Sequence, residues 1–401
     1  MTAMISVADA QARILAQITT VAPPHIVPVP AALGRVLAED LRAPIDVPPT
    51  DNSAVDGYAV AHAPIPSGER RELTVVGELA AGGVFEGVVG PGQALRIMTG
   101  APMPAGADTV YPQEVVERAG ARITVGPIEH GVNTRCRGED VRAGSVVVPA
   151  GSMLRPQELG VAASLGFPQI LVRQRPRVAI LSTGDEVVEP GETRKPGQIF
   201  DSNRFSLHGL VEAAGGTVTD YGIVPDLQDV LHARLTEAAR AADIVLTSGG
   251  VSVGDYDLVK AVLQEAGGID FWQVAMQPGR PLAVGRIGAA HFFGLPGNPV
   301  ASMLTFSLFV RPALWKLAGR RELVPPRFHA VATEPMRKRE GRREFKRGIL
   351  EYVDDQWRVR TTGPQGSGIL SSMAQGNCFI VIEEERGDVR AGDRVWVEPF
   401  Q

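Results

Sequence analysis

Apolar positions recur with two different periods along the chain, and the places where the period changes divide it. At the N-terminus Val7, Ala10, Ile14 and Ile18 fall on one face of a helix, and Ser6-Val7-Ala8-Asp9 has the form of a capping box at its start. Pro23, Pro24, Pro28 and Pro30 interrupt that helix; a second helical stretch is expected from Leu33 to Glu39, before the turn-rich run Pro44 to Asn52. From Asp56 to Arg135 the pattern becomes short alternating runs between Gly and Pro, such as Leu73-Thr74-Val75-Val76 and Arg122-Ile123-Thr124-Val125. These predict a small β domain. Val146-Val147-Val148 and a helix from Pro156 to Leu165, stopped at Gly166, predict a return to the N-terminal region, so the β domain is an insertion.

The pattern changes again at Arg177. Val178-Ala179-Ile180-Leu181 is a continuous apolar run, followed by a helix with Leu207, Leu210, Val211 and Ala214 on one face. A strand from Val218 to Val224, a helix carrying Leu227, Val230, Leu231, Leu235 and Ala238, and the buried strand Ile244-Val245-Leu246 follow. Buried strands alternating with amphipathic helices predict a parallel α/β sheet. The region closes with Phe292-Phe293-Gly294-Leu295 and a nearly uncharged helix from Val300 to Leu317, with Asn298 as N-cap and Pro299 as first helical residue. Beyond Pro325-Pro326 only short alternating stretches occur, which predict a C-terminal β-barrel or sheet. The expected class is therefore multidomain α/β plus β. Residues 1–50 and 138–175 form an elongated N-terminal domain and 51–137 an inserted β domain; 176–325 form the central α/β domain and 326–401 a C-terminal β-barrel.

Composition narrows the function classes. At 401 residues the chain exceeds the roughly 250–300 at which a single core stops growing. Its 45 glycines and 31 prolines, spread without a period, fit many tight turns. Aromatics at 5% and a net charge of −5 argue against a base-stacking surface and against nucleic-acid or anionic-lipid binding. Cys136 and Cys378 are too few for a disulfide framework or zinc knuckle. Met1 to Thr20 lacks the charged and apolar regions of a secretory signal, and no apolar run approaches the ~18 residues of a membrane span. The expectation is a cytoplasmic protein.

Ligands of open α/β sheets bind at the carboxyl ends of the strands. Three glycine-rich polar segments fall at such ends: Thr183-Gly184-Asp185-Glu186, Ser248 to Asp255, and Leu295-Pro296-Gly297-Asn298. Backbone N–H groups at glycines and nearby hydroxyls make them candidate phosphate or anion sites, though neither a Walker loop nor a dinucleotide fingerprint is present. Acidic residues join the same rim: Asp185, Glu186, Asp226, Asp255 and Asp257. Carboxylates beside phosphates suit Mg²⁺, although Asp226 and Asp257 also stand where helix N-caps would. The segment Arg337 to Arg347 carries seven basic and two acidic residues; it reads as a solvated hairpin face or as a surface steering an anion, with Arg347 favoured for direct oxyanion contact.

Seven segments, in order, resemble one family, the molybdopterin molybdenumtransferases that include the gephyrin E domain. They are Asp51 to Val60, Arg96-Ile97-Met98-Thr99-Gly100-Ala101-Pro102, Arg137-Gly138-Glu139-Asp140, Ser182 to Glu186, Ser248 to Gly254, Leu295 to Pro299 and Leu370-Ser371-Ser372-Met373. The resemblance implies four subdomains, an elongated homodimer, and a cleft between the α/β domain of one subunit and the N-terminal parts of the other. It implies an enzyme that inserts molybdate into adenylylated molybdopterin with Mg²⁺-dependent release of AMP. It places Asp56, Thr99, Asp140 and Glu186 at the reacting centre and Mg²⁺ on Asp226 and Asp257. Substrate contacts are expected from Thr183, Gly184, Ser248, Gly249, Gly250, Ser252, Gly254, Pro296, Gly297 and Asn298, and molybdate contacts from Arg280, Pro281, Ser302, Arg347, Ser371 and Ser372. Without the resemblance, Asp56-Gly57 reads as a turn and Arg137 to Asp140 as a charged loop. Two departures from the family pattern stand out. Gln277-Pro278-Gly279-Arg280 replaces the Lys-Pro-Gly-Lys of some relatives, and Ala301 precedes Ser302 where some carry Ser directly after Pro-Val. Implied partners are the adenylyltransferase that makes the adduct and the enzymes that receive the cofactor. An adenylyltransferase on the same α/β module and a non-catalytic scaffold stay open as rival readings.

Overall fold

The computed structural model describes residues 4–19, 21–249 and 268–400. The first helix, Val7–Gln17, begins where predicted: Ser6 Oγ accepts the Asp9 N–H at 3.0 Å, and Val7, Ala10 and Ile14 are buried. Its packing departs from the assignment of residues 1–50 to the N-terminal domain. That apolar face joins Leu308, Val310 and Trp315 in the central core, Gln11 Nε2 donates to the Leu308 carbonyl at 2.9 Å, and Lys316 Nζ donates to the Leu15 carbonyl at 2.6 Å.

The elongated domain is stitched from two widely separated stretches. Pro24–Pro28 pairs antiparallel with Gln169–Arg173, and Leu41–Arg42 with Val146–Val148. The helix Pro156–Ser164 covers them, opened by a proline and closed at Gly166, whose φ of +83° ends it cheaply only for glycine. The predicted helix from Leu33 to Glu39 is not formed. A single 3₁₀ turn, Val29–Ala32, is followed by Gly34 at φ +70°, and Val36 and Leu37 then bridge Met153 and Val172. Pairing with the returning chain overrides a weak local propensity, and it buries Leu37 against Val172 and Leu154.

The insertion forms a six-stranded sheet in the order Thr109–Pro112, Gly57–Val60, Gln93–Ile97, Arg71–Leu79, Arg122–Val125, Glu117–Ala119. Alternation along these strands feeds two small cores, one around Tyr58, Tyr111 and Ile123 and the other around Leu79, Leu95 and Ile97.

The central sheet has the order Thr217–Val224, Arg177–Thr183, Ile244–Ser248, Ala290–Leu295, Pro281–Ile287, Asp270–Gln273. Its first four strands are parallel, as the buried runs predict; the last two pair antiparallel and extend the edge, a feature the periodicity does not reveal. Helices lie on both faces. Val178 and Ile180 face a core with Leu207, Val211, Leu304 and Leu314, while Ala179 and Leu181 face Leu231, Leu235 and Ala238. Each such aliphatic side chain contributes about 1.5–3 kcal/mol on burial, so double-sided burial makes this sheet the energetic centre of the chain. The helix after Pro299 runs from Pro299 to Leu317 with a π turn over Phe306–Val310.

Five strands, Phe328–Ala332, Arg343–Val353, Gln356–Thr361, Cys378–Ile382 and Arg394–Pro399, close into a barrel. Closure is complete because Arg343–Val353 pairs with both Gln356–Thr361 and Cys378–Ile382. Two contacts fasten the barrel to the α/β domain. Met276–Gln277 adds a parallel strand at Arg343 and Glu344, and buried Glu398 accepts from Arg311 at 2.8 Å and Arg327 at 2.9 Å. Among the described residues no helix is long and apolar enough to cross a membrane.

His291, at the start of a central strand, is buried beside Arg286, and desolvation followed by that charge pushes its pKa down to about 4. The native state therefore holds a neutral ring, while an unfolded chain binds its proton below about 6.5. Stability contributed by this site is complete above pH 6.5 and declines as the pH falls through 4, by on the order of 3 kcal/mol. Urea unfolding of His291→Gln should show a flatter stability profile between those values than the parent. Parallel profiles would rule this origin out.

Candidate active site

Three strand-end turns meet at the carboxyl edge of the parallel strands. Gly249 has φ +94°, and a Cβ there would stand 2.9 Å from the Thr183 carbonyl oxygen, so only glycine lets these two turns touch. The Gly249 N–H donates to Leu295 O at 3.1 Å, which brings in the third turn. Asn203, at the head of the helix Asn203–Ala213, clasps two of them: its Nδ2 donates to Ser248 Oγ at 2.7 Å and to the Gly297 carbonyl at 2.8 Å. The turns wall a cleft of about 70 Å³ lined by Ser182, Thr183, Glu186, Asn203, Ser248 and Gly249 among others. Ser182 Oγ and Asn203 Oδ1 are buried there without hydrogen-bond partners. Unpaired buried polar atoms are costly, and in a cleft of this kind they mark where a ligand completes the bonding.

Glu186 is exposed and turned back over Gly184, whose φ of +127° leaves the room: a Cβ there would lie 2.6 Å from Glu186 Oε2. Asp226 faces the same spot. Burial first, then the charges of Asp185 and Glu186, raise its pKa, against a Gly184 N–H that stabilises the carboxylate. The N-cap alternative for Asp226 fails, because the helix Gln228–Ala241 has Leu227 at its N-cap and no side-chain cap. Gly250, Ser252, Gly254 and Asp257 lie outside the described residues. Among the described residues no group of three or more His, Cys, Asp or Glu is arranged as a metal site. Asn298 occupies the N-cap position before Pro299, but its side chain makes no capping bond; Pro296 and Gly297 belong to the turn that Asn203 holds.

The oxyanion candidates gather around the start of the Pro299 helix. Gly279, at φ +90°, presses on Thr305 Oγ1 and the Ala301 carbonyl, so the 277–281 loop carrying exposed Arg280 and half-buried Pro281 sits on this helix. Ser302 Oγ and Thr305 Oγ1 are buried beneath it without partners. On the other side Val300 N–H donates to Ser367 O at 3.2 Å, which brings the 364–372 loop of the barrel against the same helix end. Arg347 stands behind that loop. It is fully buried; Nε donates to Ser372 Oγ at 2.9 Å, and its other nitrogens donate to the carbonyls of Gln365 and Gly366. The structure thus shows a guanidinium holding the loop rather than a free fork in the cleft. Ser372 is likewise committed, donating to Ile369 O at 2.5 Å, and Ser371 is exposed.

Asp56, Thr99 and Asp140 lie elsewhere in the chain. Asp56 Oδ1 accepts from Thr99 N and Thr99 Oγ1, both at 2.7 Å, and those bonds, with Arg96 nearby, hold its carboxyl below the ordinary range. The following Gly57 is no mere turn residue: it starts a strand, and a Cβ would lie 2.0 Å from Tyr111 O. Asp140 is exposed in a loop tied down by Arg137, whose N–H donates to Asp51 and whose Nε donates to Asp46. The described contacts of these three residues stay within the inserted and elongated domains.

Sequence reasoning missed Asn203 and the network behind it. Arg204 is buried and donates to Asp201, Asp220 and Glu189, fixing the wall of the cleft from behind. At the start of the helix Asn203–Ala213, Asp201 accepts the Arg204 N–H at 3.1 Å.

A parallel sheet with an anion-ready cleft at its strand ends, flanked by hydroxyls, carboxylates and a barrel loop, defines a multidomain α/β enzyme acting on an anionic substrate. Three family models match successive parts of the chain: the MoeA N-terminal region (domain I and II) over residues 5–166, a probable molybdopterin binding domain over 179–316, and the MoeA C-terminal region (domain IV) over 329–400. The chain is 40% identical to a molybdopterin molybdenumtransferase of Haemophilus influenzae, over 99% of both chains. It is 37% identical to molybdopterin molybdenumtransferase 2 of Mycobacterium tuberculosis, over 96% of this chain and 97% of the other. A crystal structure of the molybdopterin biosynthesis moeA protein from Pyrococcus horikoshii superposes with a TM-score of 0.87 at 33% identity, covering 99% of this chain and 100% of that one. The chain belongs to the molybdopterin molybdenumtransferase (MoeA) family.

The raised pKa of Asp226 has a consequence for stability. A carboxyl with a raised native pKa costs nothing while protonated and destabilises the fold once the pH has risen through that value. Asp226→Asn should therefore melt at a temperature higher by on the order of a degree at neutral pH. The gap should close near pH 3, where both side chains are neutral. A variant less stable at every pH would show that the carboxylates are not in conflict.

Proposed function

We propose that this chain transfers molybdenum: it binds adenylylated molybdopterin, releases AMP and places molybdate on the pterin dithiolene. The observation that carries the reading is the cleft clasped by Asn203, where the Ser182, Thr183 and Ser248 hydroxyls line an opening beside Glu186, with Asp226 close to it. A pyrophosphate linkage suits such a cleft, since the hydroxyls of Ser182, Thr183 and Ser248 supply neutral donors without adding side-chain charge.

Glu186 is the residue proposed to orient water against the phosphorus and to accept its proton as the bond to AMP breaks. Mg²⁺ would sit against Asp226, with Asp257 as the second candidate ligand; when bound, it neutralises charge on the phosphate oxygens. The donor set fits such an ion. These are hard carboxylate oxygens, Asp226 already feels two like charges, and Mg²⁺ completes its shell with water and phosphate rather than protein alone. Molybdate, as substrate, would be received at the head of the Pro299 helix. There Ser302 and Thr305 have unused hydroxyls, Arg280 supplies charge, and Arg347 acts by holding the loop that carries Ser371. Both substrates then meet within one cleft, and proximity accounts for much of the rate.

Asp56, Thr99 and Asp140 are proposed to complete the cleft from a second copy in a homodimer. Their contacts within one chain do not reach Glu186, while Asp56 is already held ionised and oriented by Thr99. The adenylyltransferase that makes the adduct and the enzymes that take up the cofactor are proposed partners, and the cytoplasm the proposed compartment.

Glu186→Gln should bind the adenylylated substrate while slowing AMP release by about 10²–10⁴-fold. Undiminished release would remove Glu186 from the chemistry. Mixing inactive Glu186→Gln with inactive Asp56→Asn tests the shared cleft. If each cleft draws one residue from each copy, random pairing restores about a quarter of parental activity, because half the dimers then carry one intact cleft. No recovery after demonstrated subunit exchange would show that both residues act within one copy.

A further inference from the structure

At the opposite side of the α/β domain from the active-site cleft, where the elongated domain, the 174–176 linker and the end of the Arg311–Leu317 helix meet, lies a second cleft of about 160 Å³. Four guanidinium groups line it, those of Arg35, Arg173, Arg175 and Arg320, together with one carboxylate, Glu212. None of the four forms an ion pair among the described residues. Arg173 reaches only the Ala22 and Ala38 carbonyls, at 3.3 and 3.4 Å. Arg35 donates to Arg173 O at 2.9 Å and meets His25 Nε2 at 3.2 Å, while its Nε is buried with no partner. Arg320 is half-buried and stacks over the Trp315 ring at 4.0 Å. Burial and the neighbouring charge of Arg175 lower the pKa of Arg35.

Local features offset only part of this charge. The helices Asn203–Ala213 and Arg311–Leu317 both end at the cleft, and each carbonyl end carries about half a negative charge. Glu212 supplies one more, although it also faces His208 at 3.5 Å. Glu322 also acts on Arg320, so the four positive charges are only partly compensated and a net positive surplus remains. Converging guanidinium groups with free donors match the geometry of an oxyanion.

We propose that this cleft is a second oxyanion site, separate from the active-site cleft, which takes a phosphate-class anion. Bound there, such an anion bridges Arg35 of the elongated domain, Arg175 of the linker and Arg320 beyond the α/β domain's last helix. It would fasten the two domains to each other.

Inorganic pyrophosphate is the probe, titrated by calorimetry and thermal melting at constant ionic strength against chloride. Arg175 is exposed and makes no hydrogen bond among the described residues, so its variants should fold. The parent should show two binding events, one at the strand-end cleft. Arg175→Gln should weaken the other by about tenfold and leave the first unchanged. Arg175→Glu should abolish the second event. In chloride alone it should melt higher than the parent by about 1–2 °C, because it relieves the repulsion at Arg35. An equal pyrophosphate response in the parent and Arg175→Glu would overturn the proposal. So would a lower melting temperature for Arg175→Glu in chloride, which would mean that the cleft does not hold surplus positive charge.

Discussion

Backbone contact between neighbouring strand-end turns is the constraint on which the rest of the molecule depends. Parallel strands need crossovers, and crossovers bring every connecting turn of one polarity to the same sheet edge. That places the Thr183, Ser248 and Leu295 ends side by side, but close enough for one ligand only if no Cβ intervenes. Gly249 against Thr183 O meets that condition, and Asn203 then spans Ser248 and Gly297 with a single amide. Any larger residue at 249 would separate the turns whatever the sheet beneath them did. The sheet in turn is rigid because it is buried on both faces, with Val178 and Ile180 on one side and Ala179 and Leu181 on the other.

The remaining domains are arranged around that edge. The N-terminal helix packs on the far end of the long Pro299–Leu317 helix, and Gln11 satisfies the Leu308 carbonyl at its π turn. The barrel approaches the near end through the 364–372 loop, which Arg347 holds from within. One helix therefore connects three parts of the chain, and its N-terminus is where the candidate oxyanion groups converge. Burying Arg347 carries a desolvation cost, visible in the direction of its pKa, that only a full set of acceptors makes tolerable. Such a residue fixes a loop's shape more reliably than a surface arginine would.

Much of this architecture was legible in the chain. The run Val178 to Leu181, the helix faces at Leu207 and Leu231, and the Gly-Pro punctuation of the insertion each reflect a periodicity that burial imposes directly. What was not legible depends on partners distant in sequence. Leu33 to Glu39 reads as helix because its pairing residues, Met153 and Val172, lie more than a hundred positions away. The antiparallel strands Pro281–Ile287 and Asp270–Gln273 leave a buried pattern no different from that of parallel ones. At the site, the glycine-rich segments and Glu186 announced themselves by residue type, whereas Asn203 did not, since an asparagine before a helix has a sufficient local explanation. Arg347 shows the converse: its basic run and its glycine neighbour suggested exposure, whereas it is fully buried and its donors are taken up by the 364–372 loop.

Charge completes the account. A net charge of −5 conceals strong local separation, with carboxylates crowded at the strand-end rim and guanidinium groups crowded in the cleft behind. Neither crowd stabilises the empty fold. Asp226 is disfavoured by Asp185 and Glu186, and Arg35 by Arg175. Elsewhere the chain pairs its buried charges closely, as in Arg204 with Asp201 or Glu398 with Arg311 and Arg327. The like charges standing together at both clefts are the feature on which both proposals rest: a cation and phosphate at the rim, an oxyanion behind.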